Sequence, residues 1–98
     1  MMELKDFIGK VVIGTAPKRR YVLRKITAPC IEVSTVDKDA QGRCAFYAWP
    51  CINGDPISTG ALRFEDESLT EPFIKAFEAY IHTEAAYWEN YGYWMRRD

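Results

Sequence analysis

Between Lys10 and Phe64 the chain is cut into short β-branched and aromatic runs by turn residues, with no helical run among them. The most regular run is Ile31-Glu32-Val33-Ser34-Thr35-Val36, where Ile31, Val33 and Thr35 face one way and Glu32 and Ser34 the other. That period of two is what a sheet with one wet face requires. Its partner is Arg43 to Trp49, reached through the polar stretch Asp37-Lys38-Asp39-Ala40-Gln41-Gly42, which reads as a hairpin connection. Cys44 to Trp49 is apolar on both sides, so it is expected at the centre of the sheet, ending at Pro50, which cannot donate to a ladder. Lys10 to Ile13, Tyr21 to Ile26 and Ala61 to Phe64 supply the other strands. Asn53-Gly54-Asp55-Pro56 marks a turn before the last of them, because Asn and Gly tolerate positive φ and Pro fixes the exit. Five strands with short links imply a curved antiparallel sheet over about residues 10–64, a partial, SH3-like barrel.

The period then changes. Ile74, Phe77, Ile81, Ala85 and Trp88 recur at spacings of three and four, which predicts a C-terminal helix over about 69–91 with one stripe against the sheet. Ser68 and Glu71 have the spacing of a capping box, with Thr70 as the rival cap and Pro72 tolerated in the first turn. Gly92 is the expected stop, leaving 92–98 as a tail. A break near His82-Thr83 is the alternative, since Thr83 could cap a second short helix. With no repeat and no linker, 1–98 is expected to be one α+β domain.

Composition narrows the class. An apolar fraction of 48% and a charged fraction of 28% are those of an ordinary globular protein. No apolar run approaches the ~20 residues that span a bilayer, so no membrane contact is expected. Met1-Met2-Glu3-Leu4-Lys5-Asp6 leads into no long apolar stretch, so a secretory leader is not expected either. Cys30, Cys44 and Cys51 are odd in number and not closely paired, which suits buried thiols in the cytoplasm better than a disulfide framework. The net charge of −1 conceals a division: residues 1–30 carry a balance of +5 and residues 31–98 one of −6. Two faces of opposite potential are the expected consequence.

Chemistry finds few candidates. His82 is the sole histidine, and nothing near it or the three cysteines has the pattern of an activated nucleophile. Zinc sites show paired ligands, and here the cysteines and histidine are scattered. Asp37, Asp39 and Gln41 alternate as in a calcium loop, but the bidentate glutamate is missing, so this is a solvated hairpin tip. Gly9 and Gly14 stand alone, without the spacing of a nucleotide loop. The acids Glu65, Asp66, Glu67 and Glu71 are explained by the positive end of the helix dipole. The expectation is therefore no enzyme, no metal and no cofactor.

Two surfaces remain as binding candidates. Eight of the fourteen aromatic residues lie between Phe73 and Trp94, more than one small core can easily hide. Tyr87, Tyr91, Tyr93 and Trp94 are the residues expected to contact a protein partner or a second copy of the chain, since large rigid rings are enriched at interfaces. The alternative is nucleic acid, held by Lys18, Arg19, Arg20, Arg24 and Lys25 with bases stacked on Tyr21.

The stretches Gly9 to Val12, Arg20 to Leu23, Ile52 to Ser58 and Tyr91 to Asp98 resemble those of small uncharacterised bacterial proteins associated with mobile elements, over most of the chain. The resemblance implies a bacterial, cytoplasmic accessory protein, attaches no reaction to any motif and carries over no site residue. Small phage and plasmid proteins often act by binding a host protein, which leans towards the binding reading.

Overall fold

The computed structural model describes residues 2–15 and 17–95. Five strands form, β1 (Val11–Thr15), β2 (Lys18–Ile26), β3 (Cys30–Thr35), β4 (Phe46–Pro50) and β5 (Leu62–Phe64), all antiparallel, in the order β4-β3-β2-β1-β5. The first four make a meander, and β5 departs from it by returning to pair with β1, which leaves β4 and β5 at opposite edges of an open sheet. The α+β class and the five-stranded antiparallel sheet are thus as the sequence predicts.

Register sorts the side chains, because residues directly opposite in a ladder share a face. Val12 pairs with Tyr21 and Phe64, Leu23 with Val33, and Ile26 with Ile31. With Leu62 they form the inner face, and of these only Ile26 is less than buried. Gly14 is required on that face: a Cβ there would lie 3.0 Å from the Tyr21 ring. The pairing between β2 and β3 shifts between Leu23 and Lys25, a bulge that leaves Arg24 unpaired and bends the strand.

One placement differs from expectation. Cys44 to Trp49 does not lie at the centre; β4 is an edge strand with β3 as its one neighbour. Its apolar character on both sides has two separate causes. Tyr47 and Trp49 turn inward against Tyr21, with ring centroids 5.7 and 5.5 Å away, while Phe46 and Ala48 stand exposed on the other face. The centre belongs to β2, because β5 closes on β1 instead of on β4. Pro50 ends β4 as expected, in the edge position where its missing donor costs nothing.

The 53–56 turn contains more than a turn. Asp55 caps a single helical turn, α1 (Pro56–Thr59), its Oδ1 accepting from the Ile57 and Ser58 N–H groups, both at 3.0 Å. Proline at the first helical position and Gly60 at φ 84° after the last are the residues such ends favour.

Two longer helices follow, α2 (Thr70–Ile81) and α3 (Glu84–Met95), so the helix predicted over 69–91 is divided. The alternative break at His82-Thr83 is the one that forms. Thr83 Oγ1 donates to the Tyr80 carbonyl at 2.6 Å and accepts from the Ala86 N–H at 3.2 Å, turning the chain between the helices. Gly92 does not end α3, which runs on to Met95; the rest of the predicted tail, 96–98, lies outside the described residues. The Ser68/Glu71 capping box does not form either. Asp66 caps a short 3₁₀ turn (Glu67–Leu69) that leads into α2, taking both the Ser68 N–H (3.1 Å) and the Ser68 hydroxyl (2.6 Å), and those bonds lower its carboxyl pKa.

The core gathers under the inner face. Phe7, delivered by an N-terminal 3₁₀ turn (Leu4–Phe7), meets Phe64 and Phe73 at centroid distances of 5.7 and 5.2 Å. Phe77 stacks on Phe73 at 5.8 Å. Of the predicted stripe, Phe77 is buried and Ile74 packs against the core, whereas Ile81, Ala85 and Trp88 are exposed. The break explains the difference, because it rotates α3 so that Ala86 points inward instead.

Candidate functional site

α3 meets the body of the protein through few side chains. Ala86 is its one fully buried residue. Three residues on, at helical spacing and so on the same side, Glu89 accepts from the Ala28 N–H at 2.9 Å, reaching the loop between β2 and β3. The Tyr80 hydroxyl of α2 also bonds to Glu89. Burial, that bond and the Glu89 charge together raise the Tyr80 pKa. Trp94 lines a cleft of about 550 Å³ with Pro29, Cys51, Phe77 and Asn90.

With a small residue and a carboxylate facing inward, the large rings of α3 face out. Tyr87, Trp88 and Tyr91 are 59%, 57% and 50% exposed. They form one cluster: Tyr87 meets Trp88 edge-on at 5.0 Å, Trp88 meets Tyr91 at 5.6 Å, and Tyr87 and Tyr91 stack at 6.5 Å. At 3.6 residues per turn, Met95 continues the same face one turn beyond Tyr91, and it too is exposed. Tyr93 falls on the side of Ala86 and Glu89 and pairs with Trp94 at 4.8 Å. Of the four residues the sequence offered, the structure therefore joins Tyr87 and Tyr91, and sets Tyr93 and Trp94 apart as a second pair. Trp88 is the member the sequence reading missed, having been assigned to the core stripe. The signal that could have found it is Thr83, whose capping geometry breaks the stripe before Trp88 is reached.

The basic candidates are also redistributed. Lys18 pairs with Thr15, Arg20 with Ile13 and Lys25 with Glu32, which puts all three on the outer face of the sheet. Arg24 leans across that face from the bulge, its Nε donating to the fully buried Ser34 hydroxyl at 2.7 Å. Arg20 is held by Glu65 through two bonds of 2.9 and 3.2 Å. Arg19 pairs with Gly14 and so lies on the opposite face. Tyr21 is 5% exposed and enclosed by Tyr47 and Trp49, so the stacking ring expected among these bases has no free face.

The remaining chemistry-bearing groups are quiet. Cys30, Cys44 and Cys51 are all free thiols. Burial, with smaller effects of Asp55 and Cys30, pushes the Cys51 thiol up to about 12, which keeps it protonated. Asp39 ties down the hairpin tip by accepting from the Gln41 and Arg43 N–H groups at 2.9 Å each. Among the described residues, no group of three or more His, Cys, Asp or Glu side chains is placed to hold a metal ion, and no helix is long and apolar enough to cross a membrane. Comparison of the chain with protein-family models, curated proteins and solved structures finds no match.

Proposed function

We propose that this domain is a non-catalytic binding module that contacts a protein partner, or a second copy of itself, through the outer face of α3. The observation that carries the reading is the Tyr87–Trp88–Tyr91 cluster, three mutually packed rings about half exposed on the solvent side of a helix. Rings of this kind offer large contact area at low entropic cost, and buried aromatic anchors carry about 2 kcal/mol or more each at protein interfaces. The cluster is also already assembled, so little ordering would oppose association. The Cys51 thiol is held protonated, which argues against its use as a nucleophile. An accessory role in a bacterial mobile element, acting on a host protein, fits this reading.

The test is the triple substitution Tyr87→Ser, Trp88→Ser and Tyr91→Ser, with circular dichroism to establish that the fold persists. Light scattering over a concentration series reports self-association. Affinity capture from the source cell reports partners retained by the native chain and released by the variant. Unchanged mass and an unchanged set of captured proteins would remove the reading.

A further inference from the structure

Phe7, Ile57, Phe73 and Phe77 join the inner-face residues in the core, whereas the residues of the other face are exposed or half-buried apart from Ser34 and Cys30. Register defines that open face. Phe46, Ser34, Val22 and Val11 make one row across four strands, and Arg20, Ile13 and Arg63 make the next. At the usual spacing of neighbouring strands, the first row is about 14 Å long. Val11, Ile13 and Val22 are half-buried, giving the face an apolar floor. Above it stand the exposed cations Lys18, Arg20, Arg24, Lys25 and Arg63, against the acids Glu32, Glu65 and Glu67, the last lying 4.0 Å from the Arg63 guanidinium. The face is therefore basic in a protein whose net charge is −1. Phe46 projects from it 66% exposed.

Arg24 distinguishes this arrangement from a merely solvated charged surface. The bulge frees it from the ladder, and its bond to the buried Ser34 hydroxyl fixes the guanidinium against the sheet in the row that holds Phe46. The Nε is used in that bond, and among the described residues neither Nη nitrogen has a hydrogen-bond partner. A flat cation and a flat ring thus share one sheet surface, with flexible lysines and arginines around them. Bases stack on aromatic rings and on arginine planes, and phosphates are taken by the surrounding cations.

We propose that this open face binds single-stranded nucleic acid, with Phe46 and the Arg24 guanidinium stacking bases and Lys18, Lys25 and Arg63 contacting phosphates. The site lies on the sheet and is separate from the α3 cluster. It also replaces the enclosed Tyr21 ring by one that is accessible. Arg20 contributes to the field of the face while bonded to Glu65.

The experiment is fluorescence anisotropy of labelled oligo-dT and oligo-U at low salt with the whole chain, repeated with a labelled polyglutamate peptide. Three or four phosphate contacts predict that log affinity falls with log salt at a slope of about −2 to −3. Phe46→Ala should weaken oligonucleotide binding about 10-fold or more, from the usual worth of one stacked base. The double variant Lys18→Glu and Lys25→Glu should abolish it, while the α3 triple variant should bind as the native chain does. All these positions are exposed, so circular dichroism of each variant should match the native spectrum. Absence of any anisotropy change with either oligonucleotide would overturn the proposal. So would Phe46→Ala binding as tightly as the native chain. Polyglutamate bound as tightly as oligonucleotide would likewise refute it, and would mark a surface for acidic peptides instead.

Discussion

Glu89 is the residue on which the placement of α3 turns, and its removal can be worked through from the contacts. Glu89→Ala leaves the Ala28 N–H without its acceptor in a loop residue only 5% exposed, and takes the partner of the Tyr80 hydroxyl as well. A buried donor left unmatched costs about 1–3 kcal/mol. Because Glu89 itself is half-buried, water reaches part of the site, and the lower half of that range, about 1–2 kcal/mol, is the expected loss. In a domain of this length each kcal/mol moves the midpoint by about 4–8 °C, so a drop of about 5–15 °C should be read by thermal unfolding. Amide exchange should rise at Ala28 and along α3, while β2 and β3 stay protected. Glu89→Gln keeps an oxygen for Ala28 and should recover most of the loss. Tyr80 gives a second readout. Its raised pKa means that the folded state favours the neutral phenol. That contribution is fully present below the unfolded tyrosine value of about 10 and is lost as pH rises from there through the folded value. Native protein should therefore lose stability in the alkaline range more steeply than Glu89→Ala. A Glu89→Ala variant with native melting and native exchange at Ala28 would refute the account.

Asp55→Ala deletes the acceptor for two α1 N–H groups and for the Ser58 hydroxyl, bonded at 2.7 Å, and should cost about 1–2 kcal/mol in urea unfolding, with Asp55→Asn recovering part of it. Cys51, with its thiol pushed up to about 12, should resist alkylation at mildly alkaline pH in the folded protein and react once urea is added; prompt labelling of Cys51 in a peptide map of native protein would contradict its protonated, half-buried setting.

How far these features could be read from the chain depended on whether the governing contact was local. The alternating direction of Ile31 to Thr35, the Asp37 to Gly42 connection and the stop at Pro50 are short-range facts, and the structure carries all three, although Ser34 on the expected wet face is buried under its bond from Arg24. The position of β4 was not legible, because apolar residues on both sides of a strand read as burial on both sides. Here one side borders the core, with Trp49 half-buried and Tyr47 at its exposed rim, and the other, with Phe46, is an open surface. Only the long-range return of β5 to β1 decides which strand is central. At the carboxyl end, the spacing from Ile74 to Trp88 is a true helical period, yet Thr83 interrupts it through one hydroxyl bonded to Tyr80 and Ala86. A periodic stripe and a cap compete in the same residues, and the cap prevails because it satisfies backbone groups that the stripe leaves open. The excess of rings was visible from the start; which of them would share a face was not.

The joint at His82–Thr83 has a consequence for how this protein can change. Phe73 and Phe77 secure the fold from one helix, while Tyr87, Trp88, Tyr91 and Met95 decorate another whose attachment uses Ala86 and Glu89. Selection acting on the decorated positions leaves the foundation untouched. The exposed face of α3 can thus be rewritten by ordinary point substitution, as a handle is refitted on a finished tool.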